Sequence, residues 1–398
     1  MNLTLRQQLT QFAHVLQNQL FPAVEEAVGE LDDTARRLVA VLEMIPLARL
    51  VPASRGWIGR PSKDRLAIAC AFVAKAVYGF NLTRQLLERL HRDPQLRRIC
   101  GWEHARQVPH ESTFSRAFAE FAGMELPQFV HEALIAGTQK DRLIGHIARD
   151  STAIEARERL PETPQAGAAA KTVSTSPRRK GSPKGKRGPH RRHKGGKPPA
   201  RPPKEDTRLH RQREMRLPAM LAELPLNCSL GVKTKDGGNQ QYWRGYKLHL
   251  DVADGQIPIS AILTAASLHD SQVAIPLATM TAQRVTNLYD VMDAAYDATE
   301  IYEHSRGMGH VPIIRPVRRQ HKEVPFSGRE KWEAREMTWA EQDRFRERTM
   351  VERVNARLKD EFGGRQIRVR GASKIMAHLM FGVLALTADQ ILKLLNWE

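Results

Sequence analysis

The sequence predicts a mixed α/β chain: an all-α N-terminal domain, then a central sheet flanked by helices, with a long basic insertion interrupting the sheet region. Three observations predict it. Apolar residues recur at helical spacing from Leu3 to about Gly137, short apolar runs with strand character begin at Leu143 and return after Tyr242, and the composition between those runs turns to Pro, Gly, Ser and Lys/Arg. The resulting divisions are 1–137 (helical DNA-binding or dimerisation domain), 138–157 (first part of the sheet core), 158–239 (basic insertion) and 240–398 (remainder of the core and a C-terminal helix).

In the helical region Leu16, Leu20 and Val24, then Leu38, Leu42 and Ile45, then Leu66, Ile68, Ala69, Phe72 and Val73 repeat every three or four residues. Gly59 to Asp64 reads as a turn and helix start, Asn81 as the cap of a helix to Leu90, and Ser112 as the start of a helix to Phe121. With Gly101, Trp102 and Pro109 between them, the last two form a helix-turn-helix-like unit. Its later helix would offer Thr113 and Arg116 to a DNA groove.

Leu143 to Asp150 reads as a buried strand with Asp150 at its tip. The composition then breaks. Lys171 to Glu214 holds 16 Lys and Arg against 3 acidic residues, a net +13 of the chain's +18, which suits a loop that follows phosphate backbone. Its last part, Arg208 to Leu224, is apolar enough to dock as a helix. Tyr242–Val252 and Pro258–Ala265 read as a hairpin turning at Asp254-Gly255. A helix over Ser267–Met280, a strand over Val285–Asp293, a helix over Ala298–Arg306, a strand over Val311–Val317, a long helix through Phe345–Lys359 and an apolar helix over Ser373–Leu395 follow. This order matches a ribonuclease H-like fold.

Composition narrows the function. A net charge of +18 and a pI near 10.1 make a polyanion the first partner to consider, and 6% aromatic content favours duplex backbone over base stacking. Cys70, Cys100 and Cys228 are scattered, which suggests neither a disulfide framework nor a zinc site and fits a reducing cytoplasm. The first residues are amphipathic rather than signal-like, and no apolar run is expected to cross a membrane.

The chemistry concentrates in Phe345–Lys359, where helical spacing is expected to put Phe345, Arg348, Glu352, Leu358 and Lys359 on one broad face. The spacing resembles the Tyr-Arg-Glu-Lys signature of bacterial insertion-sequence DDE transposases, with Phe345 in place of the Tyr. DSTAIEA, from Asp150, resembles the block holding that family's first catalytic Asp. DAAYD, from Asp293, resembles the DxGYD block of the second, with Ala295 where Gly is usual. GYKLH around Lys247, SLHDS around Asp270, the N-terminal helical run and Gly371–Leu395 also look like family segments.

The resemblance implies catalytic and metal-binding roles for Asp150, Asp293 and Glu352. Asp290 would be structural, Asp297 the cap of the next helix, and Asp270 structural or auxiliary. Arg348, Lys359 and Lys247 would contact DNA phosphate. Two Mg²⁺ ions, with Mn²⁺ as a substitute, need hard carboxylate oxygens that leave places for water and phosphate. The implied enzyme is a cytoplasmic, nucleoid-associated DNA transposase. It would bind terminal inverted repeats as a homodimer and catalyse strand cleavage and strand transfer. A transposase-derived endonuclease without strand transfer, and a non-catalytic DNA-binding protein, are the alternatives.

Overall fold

A computed structural model of the protein describes residues 5–51, 63–160, 207–234, 239–316 and 337–395. Residues 59–62 of the GRPSKD turn and residues 161–206, most of the expected basic insertion, lie outside the described residues.

The helical region comprises α1 (Leu5–Val15), a π turn (Leu16–Leu20), α2 (Phe21–Val28), α3 (Asp33–Met44), α4 (Leu47–Leu50), α5 (Arg65–Val77), α6 (Thr83–Arg92), α7 (Pro94–Ile99), α8 (Glu111–Gly123) and α9 (Leu126–Thr138). Short acidic side chains start several of them: Asp32 accepts from Ala35 N at 2.7 Å and Asp64 from Leu66 N at 2.8 Å. Two starts differ from expectation. The N-cap of α6 is Leu82, whose N–H is taken by the Gln85 side chain at 3.0 Å, so Asn81 lies outside the helix. The N-cap of α8 is His110, whose Nδ1 accepts from Ser112 N at 3.2 Å, so Ser112 is already helical.

One mixed sheet follows: β1 (Leu143–Glu155), β2 (Ser229–Thr234), β3 (Gln240–Ala253), β4 (Ile257–Ala265), β5 (Thr286–Met292) and β6 (Val311–Ile314), in the order β2-β3-β1-β5-β6 with β4 also on β3. β1 runs antiparallel to β3 and parallel to β5, and β5 runs parallel to β6. Four strands in antiparallel pairs (β1–β4) joined to two parallel ones, with helices α12 (Ser271–Ala282) and α13 (Thr299–Gly307) alongside, fit the ribonuclease H-like fold expected from the sequence.

Two sequence expectations are corrected here. Asp150 is not a strand tip. β1 continues five residues further because, after losing β5 at the Arg149–Met292 pair, it keeps its ladder with β3 as far as Glu155–Gly245. Nor is all of 158–239 an unstructured insertion. Within it α10 (Arg208–Gln212) and α11 (Leu217–Ala222) form two short helices rather than one, the second beginning with Pro at its N-terminal turn. Leu209 and Met220 pack with Ala274 and Ile275 of α12, and Gln212 Nε2 donates to Gln272 O at 3.1 Å. β2 then joins the sheet edge.

Gly245 lies where β1, β2 and β3 meet, with φ of +151°. A Cβ there would collide with the carbonyl of Ile154 and approach Ala156 N to 2.8 Å. Gly255, φ +81°, turns the β3–β4 hairpin.

The C-terminal segment comprises α14 (Trp339–Phe345), a 3₁₀ turn (Arg346–Arg348), α15 (Thr349–Asp360) and α16 (Ala372–Leu394). The 3₁₀ turn divides what the sequence suggested as one long helix. Leu358 is fully buried while Glu352 is exposed, so Leu358 does not share the Glu352 face. Six residues advance a helix by about 600°, roughly two-thirds of a turn away, whereas Lys359 returns to the same side.

α16 passes the length and composition test for a membrane span, with 23 residues and a mean hydropathy of 1.6, contrary to the sequence expectation of no such run. Since 89% of its apolar window is buried inside the fold, it reads as a core helix. It packs against α3, α5, α8, α9 and β4, and Phe381 meets Phe72 at 5.6 Å between ring centroids. Each such fully buried large side chain contributes about 1.5–3 kcal/mol.

Candidate active site

The register of two parallel strands builds the site. Arg149 of β1 lies opposite Met292 of β5, the last pair of that ladder, so the next residues in the chain are Asp150, still within β1, and Asp293, just past the end of β5. Neighbouring strands are about 4.8 Å apart, which sets the two carboxylates side by side. Asp293 caps the following 3₁₀ turn (Ala294–Tyr296) by accepting from Ala295 N at 2.9 Å. Burial pushes the Asp150 carboxyl up to about 7; a hydrogen bond from the Ser151 backbone opposes the shift, the Asp293 charge adds to it and Arg348 counters it.

The third carboxylate lies on α15, which packs against β1 and β3. Glu352 is ion-paired with Arg348 at 2.7 Å, one turn earlier, and the Arg348 guanidinium stands 5.6 Å from the centre of the Phe345 ring. Arg348 thus acts on both Glu352 and Asp150. Lys359 is half-buried and makes no ion pair among the described residues. Burial holds its ammonium below the usual lysine range, and the nearby Arg365 and Lys233 push the same way.

Lys247 on β3 donates to Asp270 at 2.8 Å and to Leu268 O at 2.9 Å. Asp270 does not cap α12 through its side chain, because Lys247 takes that carboxylate. Asp290 is buried and accepts from Ser305 Oγ, from Asn287 Nδ2 at 3.1 Å and from His310 Nδ1 at 3.1 Å. Burial works against its charge, yet His310, Arg149 and Ser305 hold its carboxyl below the usual range. The N-cap of α13 is Ala298, so Asp297 does not fill the capping role expected of it. Thr113 and Arg116 sit on α8, which packs on α5, α6, α9 and α16, none of which carries a site carboxylate. The structure does not bring these two to the carboxylates.

The sequence reading missed a pair beneath the site. Arg149, 2% exposed, grips Asp251 through two contacts of 2.7 Å, and Thr281 Oγ1 donates to the same carboxylate at 2.7 Å. The pair ties β1 to β3 one residue before Asp150. A signal was available: Arg149 and Asp251 are opposite charges set within otherwise apolar strands.

Residues 205–388 match the family model of the Transposase DDE domain, and residues 23–120 match that of a Transposase domain (DUF772). The two matches support a transposase. Lys247, Asp293, Arg348, Glu352 and Lys359 lie within the first match and Thr113 and Arg116 within the second, while Asp150 lies in neither. No curated protein and no solved structure matches the chain.

DDE transposases generally use divalent metal ions. The donor set here suits one: two adjacent carboxylates offer hard oxygens, and a cation would offset the burial and the Asp293 charge that raise the Asp150 pKa. Among the described residues, however, no group of three or more His, Cys, Asp or Glu stands close enough to hold a metal, and Glu352 is ion-paired with Arg348.

Proposed function

We propose that this chain is a DDE transposase of an insertion sequence, with Asp150, Asp293 and Glu352 as the catalytic carboxylates, a helical domain up to about 137, and a catalytic core that starts at about 138 and resumes, after the basic segment, near Arg208 rather than at 239. The observation that carries the proposal is the register that puts Asp150 and Asp293 each one residue past the last β1–β5 pair, beside the helix bearing Glu352. Mg²⁺, or Mn²⁺ in its place, would activate an attacking oxygen and stabilise the leaving one when bound by these carboxylates. Glu352 joins Asp150 and Asp293 by giving up its contact with Arg348.

Arg348, freed from Glu352, neutralises phosphate charge. It does not serve as a base, since a guanidinium stays protonated at any working pH. Lys359 lies on the same side of α15 and supplies a second cation to the DNA backbone. Lys247 holds Asp270 and, through it, the loop behind the carboxylates, with a phosphate contact as its further role. Thr113 and Arg116 present polar groups on α8 for end recognition away from the chemistry. The partner is double-stranded DNA at the terminal inverted repeats, and synapsis of two ends calls for a homodimer acting in the cytoplasm at the nucleoid.

A strand-transfer assay tests the proposal. Pre-cleaved ends incubated with a target plasmid, Mg²⁺ and the protein should be joined to the plasmid. Cleavage of uncut ends in a parallel reaction, with no joining of the pre-cleaved ones, would instead indicate a nuclease.

A further inference from the structure

Tyr296 is 1% exposed, and its hydroxyl has no hydrogen-bond partner among the described residues. Its ring is fixed in an apolar cluster with Ile275, Met292, Ile301 and Ile314, so the hydroxyl cannot swing out to water. The turn that carries it is built on Asp293: Tyr296 N donates to Asp293 O at 3.2 Å, while the Asp293 carboxylate accepts from Ala295 N. The same turn packs on α12, which begins directly after Asp270. Burial raises the hydroxyl's pKa well above the tyrosine range, and the charges of Asp270, Asp150 and Asp293 raise it further. The phenol therefore lies within the field of three carboxylates and is bonded to none of them.

A buried donor left unmade costs about 1–3 kcal/mol. The adjacent acceptors explain why such a loss is kept. Carboxylates that bind a cation through one oxygen can accept a hydrogen bond at the other, and such a bond fixes their orientation. We propose that Tyr296 is a positioning residue for the divalent-metal site, its hydroxyl donating to the Asp150–Asp293 carboxylate pair when that pair binds a cation. The inference rests on the metal-dependent reading of the site.

The test uses the full chain, freed of metal and titrated with Mn²⁺, with free Mn²⁺ followed by electron paramagnetic resonance. Tyr296→Phe removes only the hydroxyl. The variant should melt at or above the wild-type temperature without metal, because it deletes an unsatisfied polar group, and should bind Mn²⁺ about tenfold or more weakly. In the wild type, Mg²⁺ should also shift the near-ultraviolet absorption of tyrosine, a shift absent from Tyr296→Phe. A variant that binds Mn²⁺ like the wild type, whatever its melting temperature, would overturn the inference, leaving Tyr296 a packing residue. Asp293→Asn distinguishes this from failure of the metal reading: equal Mn²⁺ binding by wild type and Asp293→Asn would overturn both.

Discussion

Asp150→Asn should stabilise the metal-free protein, and the gain should depend on pH. The ordinary Asp value is 3.8 and burial beside Asp293 takes Asp150 to about 7. At about 1.36 kcal/mol per unit, the full shift corresponds to about 4 kcal/mol. Asp150 keeps some contact with solvent, so screening reduces the expected effect to about 1–3 kcal/mol. The folded-state pKa is raised, so below about pH 4 the carboxyl is protonated in both folded and unfolded chains and carries no penalty. As pH rises towards 7 the unfolded chain ionises first, and stability is lost until the folded-state carboxyl ionises as well.

Asn does not titrate. The stability difference between variant and wild type should therefore grow from pH 4 to pH 7 and then level off. Urea unfolding in EDTA, followed by tryptophan fluorescence at pH 4.5, 6 and 8, measures it. A difference that is the same at all three values, or a wild type more stable than the variant at pH 8, would refute the assignment of a penalised carboxylate to Asp150.

Three further outcomes are expected. Arg149→Met should lose about 3–5 kcal/mol in chemical denaturation by stranding the buried Asp251 charge, and adding Asp251→Leu should recover much of it. Gly245→Ala should lose about 2–3 kcal/mol, since the side chain needs both a strained φ and space held by the β1 backbone; a neutral result in thermal melts would mean the strand junction can shift. Deleting residues 171–206 should weaken DNA binding and flatten its dependence on salt while Mg²⁺-dependent nicking persists, and an unchanged salt slope would make the segment a spacer.

Much of this architecture was legible in the sequence because periodicity reports burial. The strands around Asp150 and Asp293 are apolar runs ending near an acid, and the helix with Arg348, Glu352 and Lys359 keeps its polar spacing. What escaped were features set by tertiary partners. Asp150 looked like a strand end because its alternation weakens there, yet a one-sided ladder with β3 carries β1 onward. β2 and the short helices before it were hidden by the basic segment beside them, since a composition break has no sharp boundary and their burial depends on α12. Leu358 stands two steps of three beyond Glu352, a spacing whose error accumulates, and its helical angle turns it into the core. The ion pair of Arg348 with Glu352 follows from i,i+4 spacing, but its reach to Asp150 depends on how α15 crosses β1.

The most direct test of the central claim is cleavage of a DNA fragment carrying the element's own ends, in Mg²⁺, by the wild type and by Glu352→Gln. The account predicts cuts at the ends by the wild type and none by the variant, with end binding retained in both. Cleavage by Glu352→Gln at the wild-type rate, or end-specific binding by the wild type with no cutting, would contradict it.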